Sequence, residues 1–240
     1  MKKLYAALFL ATLFLIAPKA QAEKNWSDQA ELSYVKTSGN SDTSTLSFKN
    51  ELKNKYSDQL SSTWKLAALS AQNDGSRTAE RFSTELRGDY LFSERFYSYL
   101  NLGWLKDTFA GIDTRLYAGP GAGYKLLAGP KHLLSAEVGL NYVSEDYTND
   151  TKEDFFSGRL FGKYEFAIND TNKFSQSLEY LHNFEASKDY NVISETALSS
   201  ALNSKFSLKV SYTVNYDHMP VPDTLKHTDT ILATALVANF

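Results

Sequence analysis

The chain has 240 residues, 42% of them apolar and 14% aromatic, with no cysteine and a formal charge of −3. So many aromatics exclude a disordered chain, and the lack of cysteine excludes a disulfide framework or a thiolate metal centre. A charge this close to neutral offers no general basic surface for nucleic acid. What remains is a folded chain, polar on average yet crowded with Tyr and Phe.

Lys2 and Lys3 precede an apolar run from Leu4 to Ala17, followed by Ala20-Gln21-Ala22. A basic start, an apolar centre and an A-x-A end are the marks of a secretory signal peptide. The run is shorter than the roughly 20 residues that span a bilayer as a helix. Residues 1–22 are therefore expected to be cleaved, leaving 23–240 as one exported domain. Cleavage removes three lysines and no acid, taking the formal charge from −3 to −6.

Beyond Ala22 the pattern has period two. In Lys205 to Tyr216, Phe206, Leu208, Val210, Tyr212, Val214 and Tyr216 alternate with Ser207, Lys209, Ser211, Thr213 and Asn215. Successive side chains of a strand point to opposite faces, so one face is apolar and the other polar, a pattern a helix would scatter. Twelve such segments begin near Gln29, Thr43, Leu60, Glu80, Phe96, Thr114, His132, Asp154, Lys173, Val192, Lys205 and Thr228, those near Val192 and Thr228 alternating poorly. The connectors alternate as well. Tight turns such as Ser57-Asp58-Gln59, Ser93-Glu94-Arg95, Ala128-Gly129-Pro130-Lys131, Asn169-Asp170-Thr171-Asn172 and Asn203-Ser204 are interleaved with longer links, among them Asn73 to Ala79, Asp146 to Glu153, Glu185 to Asn191 and Asp217 to His227. Tight turns at one end and longer loops at the other are the connectivity of an outer-membrane barrel.

A soluble β-sandwich hides its apolar face and wets its polar one. Here the polar face repeats Lys, Arg, Glu and Ser, while the apolar face carries Tyr56, Trp64, Tyr90, Phe92, Phe96, Trp104, Tyr124, Tyr164 and Phe166 near strand ends. Those positions suit the aromatic girdles of a membrane barrel. The expected fold is all-β, an antiparallel transmembrane β-barrel of 12 strands in the bacterial outer membrane. Its expected surroundings are outer-membrane lipid and lipopolysaccharide. Terminal Phe240, closing the alternating run Leu232, Leu236, Ala238, resembles the signal by which the barrel-assembly machinery receives such proteins.

Two stretches carry a family resemblance. One is Ala30-Glu31-Leu32-Ser33-Tyr34 running into Ser38-Gly39-Asn40-Ser41-Asp42-Thr43. The other is Asp113-Thr114-Arg115 followed by Gly119-Pro120-Gly121-Ala122-Gly123-Tyr124. The chain resembles, over essentially all of 23–240, a bacterial family of salt-induced outer-membrane proteins, a domain family of unknown function. The resemblance implies a location and a fold, with no catalytic residue.

Parity assigns the lumen. Lys49, Lys53, Lys55, Lys65, Arg81 and Arg87, against Glu51, Glu85 and Asp89, make a basic region. Glu137, Glu145, Glu179 and Glu195 make an acidic one, with Arg115, Lys125, Arg159 and Lys163 between, beside Glu165. A basic wall is thus expected to face an acidic wall, giving a transverse field across a narrow passive channel for small polar or charged solutes. The competing expectation is a non-conducting envelope-structural or salt-stress barrel whose lumen these side chains fill, since 12 strands lie between filled and open barrels. Gly119, Gly121 and Gly123 share lumenal parity and are expected to serve packing. Catalysis is not expected. His132, His182, His218 and His227 show no nucleophile and base at a recognisable spacing, although His218 and His227 beside Asp217, Asp223 and Asp229 give a surface enzyme as a third possibility. The acidic stretch Glu145, Asp146, Asp150, Glu153 and Asp154 is read as hydrated loop charge rather than a cation site, and no cofactor is called for.

Overall fold

The computed structural model describes residues 25–37, 43–74, 76–108, 110–221 and 223–240. The expected signal peptide at 1–22, the connector Ser38 to Asp42 and Pro222 lie outside the described residues. Twelve strands follow in order: β1 (Trp26–Thr37), β2 (Thr43–Lys55), β3 (Leu60–Asn73), β4 (Ser76–Leu91), β5 (Phe96–Asp107), β6 (Ile112–Ala128), β7 (His132–Tyr147), β8 (Lys152–Ala167), β9 (Asn172–Asn183), β10 (Tyr190–Ala201), β11 (Phe206–Asp217) and β12 (Thr228–Asn239). Each pairs antiparallel with its sequence neighbours, and β12 returns to β1, closing the barrel. The poorly alternating segments, β10 and β12, are strands like the rest, because a ladder on either side holds a strand whatever its pattern. β4 begins at Ser76, ahead of the expected Glu80, where Arg77 and Ser76 continue the ladder onto Gln72 and Asn73 past a bulge at Ala71/Gln72.

Four of the tight turns share one hydrogen-bond pattern. The Ser57, Ser93, Asn169 and Asn203 N–H groups donate to the carbonyls of Leu60, Phe96, Asn172 and Phe206, three residues on, at 3.1–3.3 Å. Their side-chain oxygens accept from the N–H of those same residues, at 2.8–3.0 Å. Short polar side chains that satisfy the turn backbone locally are the physical reason for Ser and Asn at these positions. Replacing any of the four by Ala should lower the stability of the refolded barrel by about 1 kcal/mol, read as a shifted urea midpoint in micelles.

The outer surface is apolar. Leu100, Leu102, Leu116, Leu140, Leu160, Leu178 and Leu198 stand exposed around the wall. No water-soluble protein leaves a continuous band of that size uncovered. Aromatic belts flank it. At the turn end Tyr90, Phe92 and Phe96 pack in series and His132 stacks on Phe166 at 4.8 Å. At the loop end Tyr142 meets Phe156, His182 lies between Tyr180 and Phe184, and His218 stacks on Tyr190 at 4.6 Å. Pairing runs right round the ring, the β1–β12 seam being paired only in part, and backbone groups satisfied within the wall are what let a barrel cross a bilayer.

Candidate functional site in the barrel lumen

Midway along the lumen five charged groups alternate in sign. Arg87 of β4 grips Glu137 of β7 with two bonds, Nη1 to Oε2 at 3.0 Å and Nη2 to Oε1 at 2.8 Å. Such a fork is the strong geometry for a guanidinium and a carboxylate. Arg159 of β8 donates to the same carboxylate at 2.8 Å, and Tyr97 adds its hydroxyl at 2.8 Å. Asp89 holds the far side of Arg87 at 2.7 Å, and Glu179 of β9 the far side of Arg159 at 2.8 Å. Only 5% of the Glu137 side chain and 14% of Arg87 remain exposed. A second cluster links Glu31 of β1, Lys209 of β11, Glu195 of β10 and Lys49 of β2 at 3.0–3.2 Å. Lys49 and Glu195 stand on strands separated by β1, β12 and β11, so their bond bridges part of the lumen.

Four further inward pairs form. Lys65 meets Glu85 at 2.9 Å, Lys53 meets Glu51 at 2.6 Å, Lys163 meets Glu165 at 3.1 Å, and Arg115 meets Glu145. Arg81 sits loosely beside Asp107, at 3.8 Å. The expected basic and acidic walls are therefore not left facing each other across water. Where they are opposed they meet, as Lys49 with Glu195 and Arg87 with Glu137. Parity tells which face a side chain takes but not its height or what stands opposite, and long side chains in a narrow barrel close the remaining distance.

The charge division that survives runs along the axis. Towards the turn end lies a chamber of about 930 Å³, lined by seven basic and six acidic residues, among them Lys49, Lys53, Lys65, Lys163 and Lys209. Towards the loop end lie two contiguous cavities of about 200 and 270 Å³, together lined by four basic and seven acidic residues, including Asp107, Glu145, Asp189, Asp217 and Asp229. The two regions adjoin at Ser83, Glu85 and Tyr117.

The glycines explain how the waist is filled. Tyr99 of β5 lies across Gly121 of β6, where a Cβ would stand 2.1 Å from its Cζ, and Tyr97 lies likewise across Gly123 at 2.2 Å. Tyr117 of β6 leans the other way, over Gly103 of β5 at 2.1 Å. Missing side chains let these rings lie flat on the wall and carry their hydroxyls one strand further. Tyr97 thereby reaches Glu137, Tyr117 reaches Glu85, and Tyr99 accepts a bond from Arg159 at 3.0 Å. Arg87 stacks over the Tyr99 ring at 3.9 Å. The glycine strip is a seat for rings.

The loop-end chamber is roofed by the β11–β12 connector. Met219 and Val221 line one cavity, Pro220 and Leu225 the other. In the strand order this connector lies opposite the β5–β6 connector, so it crosses the mouth to reach it. There Gly111 has a φ of +78°, and a Cβ would fall 1.7 Å from the Val221 carbonyl oxygen. Beneath lie Leu105, Ile112, Val143 and Phe155, all buried. In the β9–β10 connector, burial pushes the Asp189 carboxyl above the usual carboxylate range, helped by nearby Asp217 and Glu145 and opposed by a hydrogen bond from Asn183.

The family described as protein of unknown function, DUF481, matches residues 30–240. The chain belongs to this family. The uncharacterized protein YdiY of Escherichia coli (strain K12) is 28% identical over 210 residues, covering 88% of this chain and 81% of YdiY. Among solved structures, the translocator domain of the autotransporter NalP from Neisseria meningitidis superposes with a TM-score of 0.55 at 10% identity, covering 100% of this chain and 95% of that one. An outer-membrane channel from Pseudomonas putida F1 superposes with a TM-score of 0.52 at 11% identity, covering 94% of this chain and 100% of that one. These likenesses place this DUF481 chain in the fold of outer-membrane barrels.

The four histidines sit among aromatic rings. His132 Nδ1 is 2.8 Å from the Tyr164 hydroxyl, His218 Nδ1 is 2.9 Å from the Tyr216 hydroxyl, and His227 Nδ1 is 2.9 Å from the Asp217 carbonyl oxygen. The acidic stretch at the end of β7 divides, Glu145 turning inward to Arg115 and Asp146 pairing with Lys152 at 2.9 Å. Sequence reasoning missed the apolar seat under the roof. Its signal was present as lapses of alternation at the loop ends of strands: Trp104-Leu105, Tyr142-Val143 and Phe155-Phe156. Ile112 escaped for a different reason. A bulge between Ile112 and Thr114 reverses parity and turns it inward.

Proposed function

We propose that this DUF481 barrel resides in the bacterial outer membrane and serves as a narrow passive channel for small polar or charged solutes. Its tight turns would face the periplasm, its longer loops the outside, and Phe240 would serve its reception by the assembly machinery. No residue acts as a catalyst in this reading. The observation that carries it is the charged chamber of about 930 Å³, which adjoins the loop-end cavities at Ser83, Glu85 and Tyr117. The conformation at hand is a closed one, narrowed at the Arg87–Glu137–Arg159 waist and roofed by the β11–β12 connector.

The filled-barrel alternative draws on that same waist, whose charges are satisfied by one another rather than by water. Planar-bilayer recording separates the two. Gly111→Val cannot keep its positive φ comfortably and drives a methyl into the Val221 carbonyl, so it should unseat the roof while leaving the barrel ladder intact. We expect small conductance steps from the wild type and larger or longer openings from the variant. If neither protein conducts in several salts, the channel reading fails and the envelope-structural one replaces it.

A further inference from the structure

The seam between β1 and β12 is paired only in part. Its register runs from Gln29↔Asn239 to Leu32↔Leu236, anchored at the turn end by reciprocal bonds between the Asp28 and Phe240 backbones at 3.2 and 2.9 Å. Continued in the same register, Ser33 to Thr37 would face Ala235 to Ile231. Among the described residues no such pair exists, although both segments are strand and both pair fully with β2 and β11 on their other sides. The open half lies at the level of hydrocarbon. Tyr34 and Leu232 point outward there with 62% and 69% exposure, flanked by the outward Leu46 and Tyr212.

An unpaired edge in hydrocarbon is a weak point of the wall, since lipid offers no hydrogen bonds to strengthen it. The lumenal parity is polar around the waist and apolar under the roof, and along this seam it is apolar too: Val35 on β1, and Ile231 and Ala233 on β12. β12 alternates poorly for that reason. Its two faces are both compatible with hydrocarbon where the seam lacks pairing.

We propose that the loop-end half of the β1–β12 seam is a lateral portal that admits the acyl chain of a single-chain amphiphile between the lipid and the lumen. The hydrocarbon tail would lie against Val35, Ile231 and Ala233. This goes beyond the channel reading and rests only on the barrel lying in a bilayer, so either can fail alone.

The probe is a fatty acid carrying a diazirine at its tail, added to liposomes containing the refolded full chain. After irradiation, cross-links are mapped by mass spectrometry. Label on the inward residues Val35, Ile231 or Ala233 of the wild type is the expected result. Label confined to the outward Tyr34 and Leu232 would overturn the portal, and this measurement needs no variant. The chain has no native cysteine, so Val35→Cys with Ala233→Cys makes a clean staple across the gap. Oxidation should abolish the inward label on Ile231, and reduction should restore it. Inward labelling indifferent to the staple would refute passage through the seam. A disulfide formed between two chains would also overturn the proposal, showing that a second copy covers the edge. Conductance recorded from the same liposomes reports on the channel reading separately.

Discussion

Glu137→Ala should destabilise the barrel by about 3 kcal/mol, the penalty typical of stripping one partner from a buried ion pair. The carboxylate accepts three guanidinium bonds and the Tyr97 hydroxyl in a site nearly closed to solvent. Its removal leaves Arg87 and Arg159 converging on an empty position, each with a single acidic partner. The loss is read from urea unfolding in micelles. Replacing Arg87 and Glu137 together by Met should recover much of it, because well-packed apolar substitutes for a buried pair are often neutral. If the single variant were as stable as the wild type, the waist would have to be wet and its pairs merely superficial. The same variant should widen the narrowest part of the lumen, so bilayer recording of Glu137→Ala is expected to show larger steps than the wild type.

Gly121→Val strikes the wall of the same waist by a steric route. A Cβ at this position stands 2.1 Å from the Tyr99 ring, so the ring must leave its seat. Its departure takes the stacking surface from under Arg87, 3.9 Å away, and the hydroxyl from Arg159. Overpacking of this kind costs ~1–3 kcal/mol, and a desolvated cation–π contact about 2 kcal/mol more. The refolded variant should therefore show a lower transition temperature for its heat-dependent shift in gel mobility. Combining Gly121→Ala with Tyr99→Ala should restore much of the folding, since the smaller side chain then occupies the space the ring vacates. Failure of that rescue would mean that Gly121 is required for backbone reasons alone.

Most of the barrel was legible in the chain because the strand period is short and local. Phe206 to Tyr216 and Leu134 to Tyr142 announce their faces within a dozen residues, and the Ser and Asn turn residues mark where each ladder reverses. The lumenal charges were legible as a set for the same reason. Their partners were not. Glu137 is fifty positions from Arg87, and nothing near either residue reveals that strands three apart bring them together. The ring seats were half legible. The run Gly119, Gly121, Gly123 pointed to packing, but that Tyr97 and Tyr99 on the preceding strand lie over two of those glycines depends on register. Lapses of alternation at Leu105, Val143 and Phe155 gain meaning only from a connector that reaches over them from the opposite side of the ring.

By itself, then, the sequence determined the fold class, the twelve strands, the tight-turn end and the assignment of most side chains to lipid or lumen. Each of these follows from alternation and turn chemistry between residues close in the chain. Only the tertiary structure decided the axial rather than transverse division of charge, the five-membered charge ladder at the waist, the roofed mouth and the partly unpaired seam. These depend on stagger and closure, which fix height along the axis and bring first and last strands together. Neither quantity is encoded in the spacing of neighbouring residues.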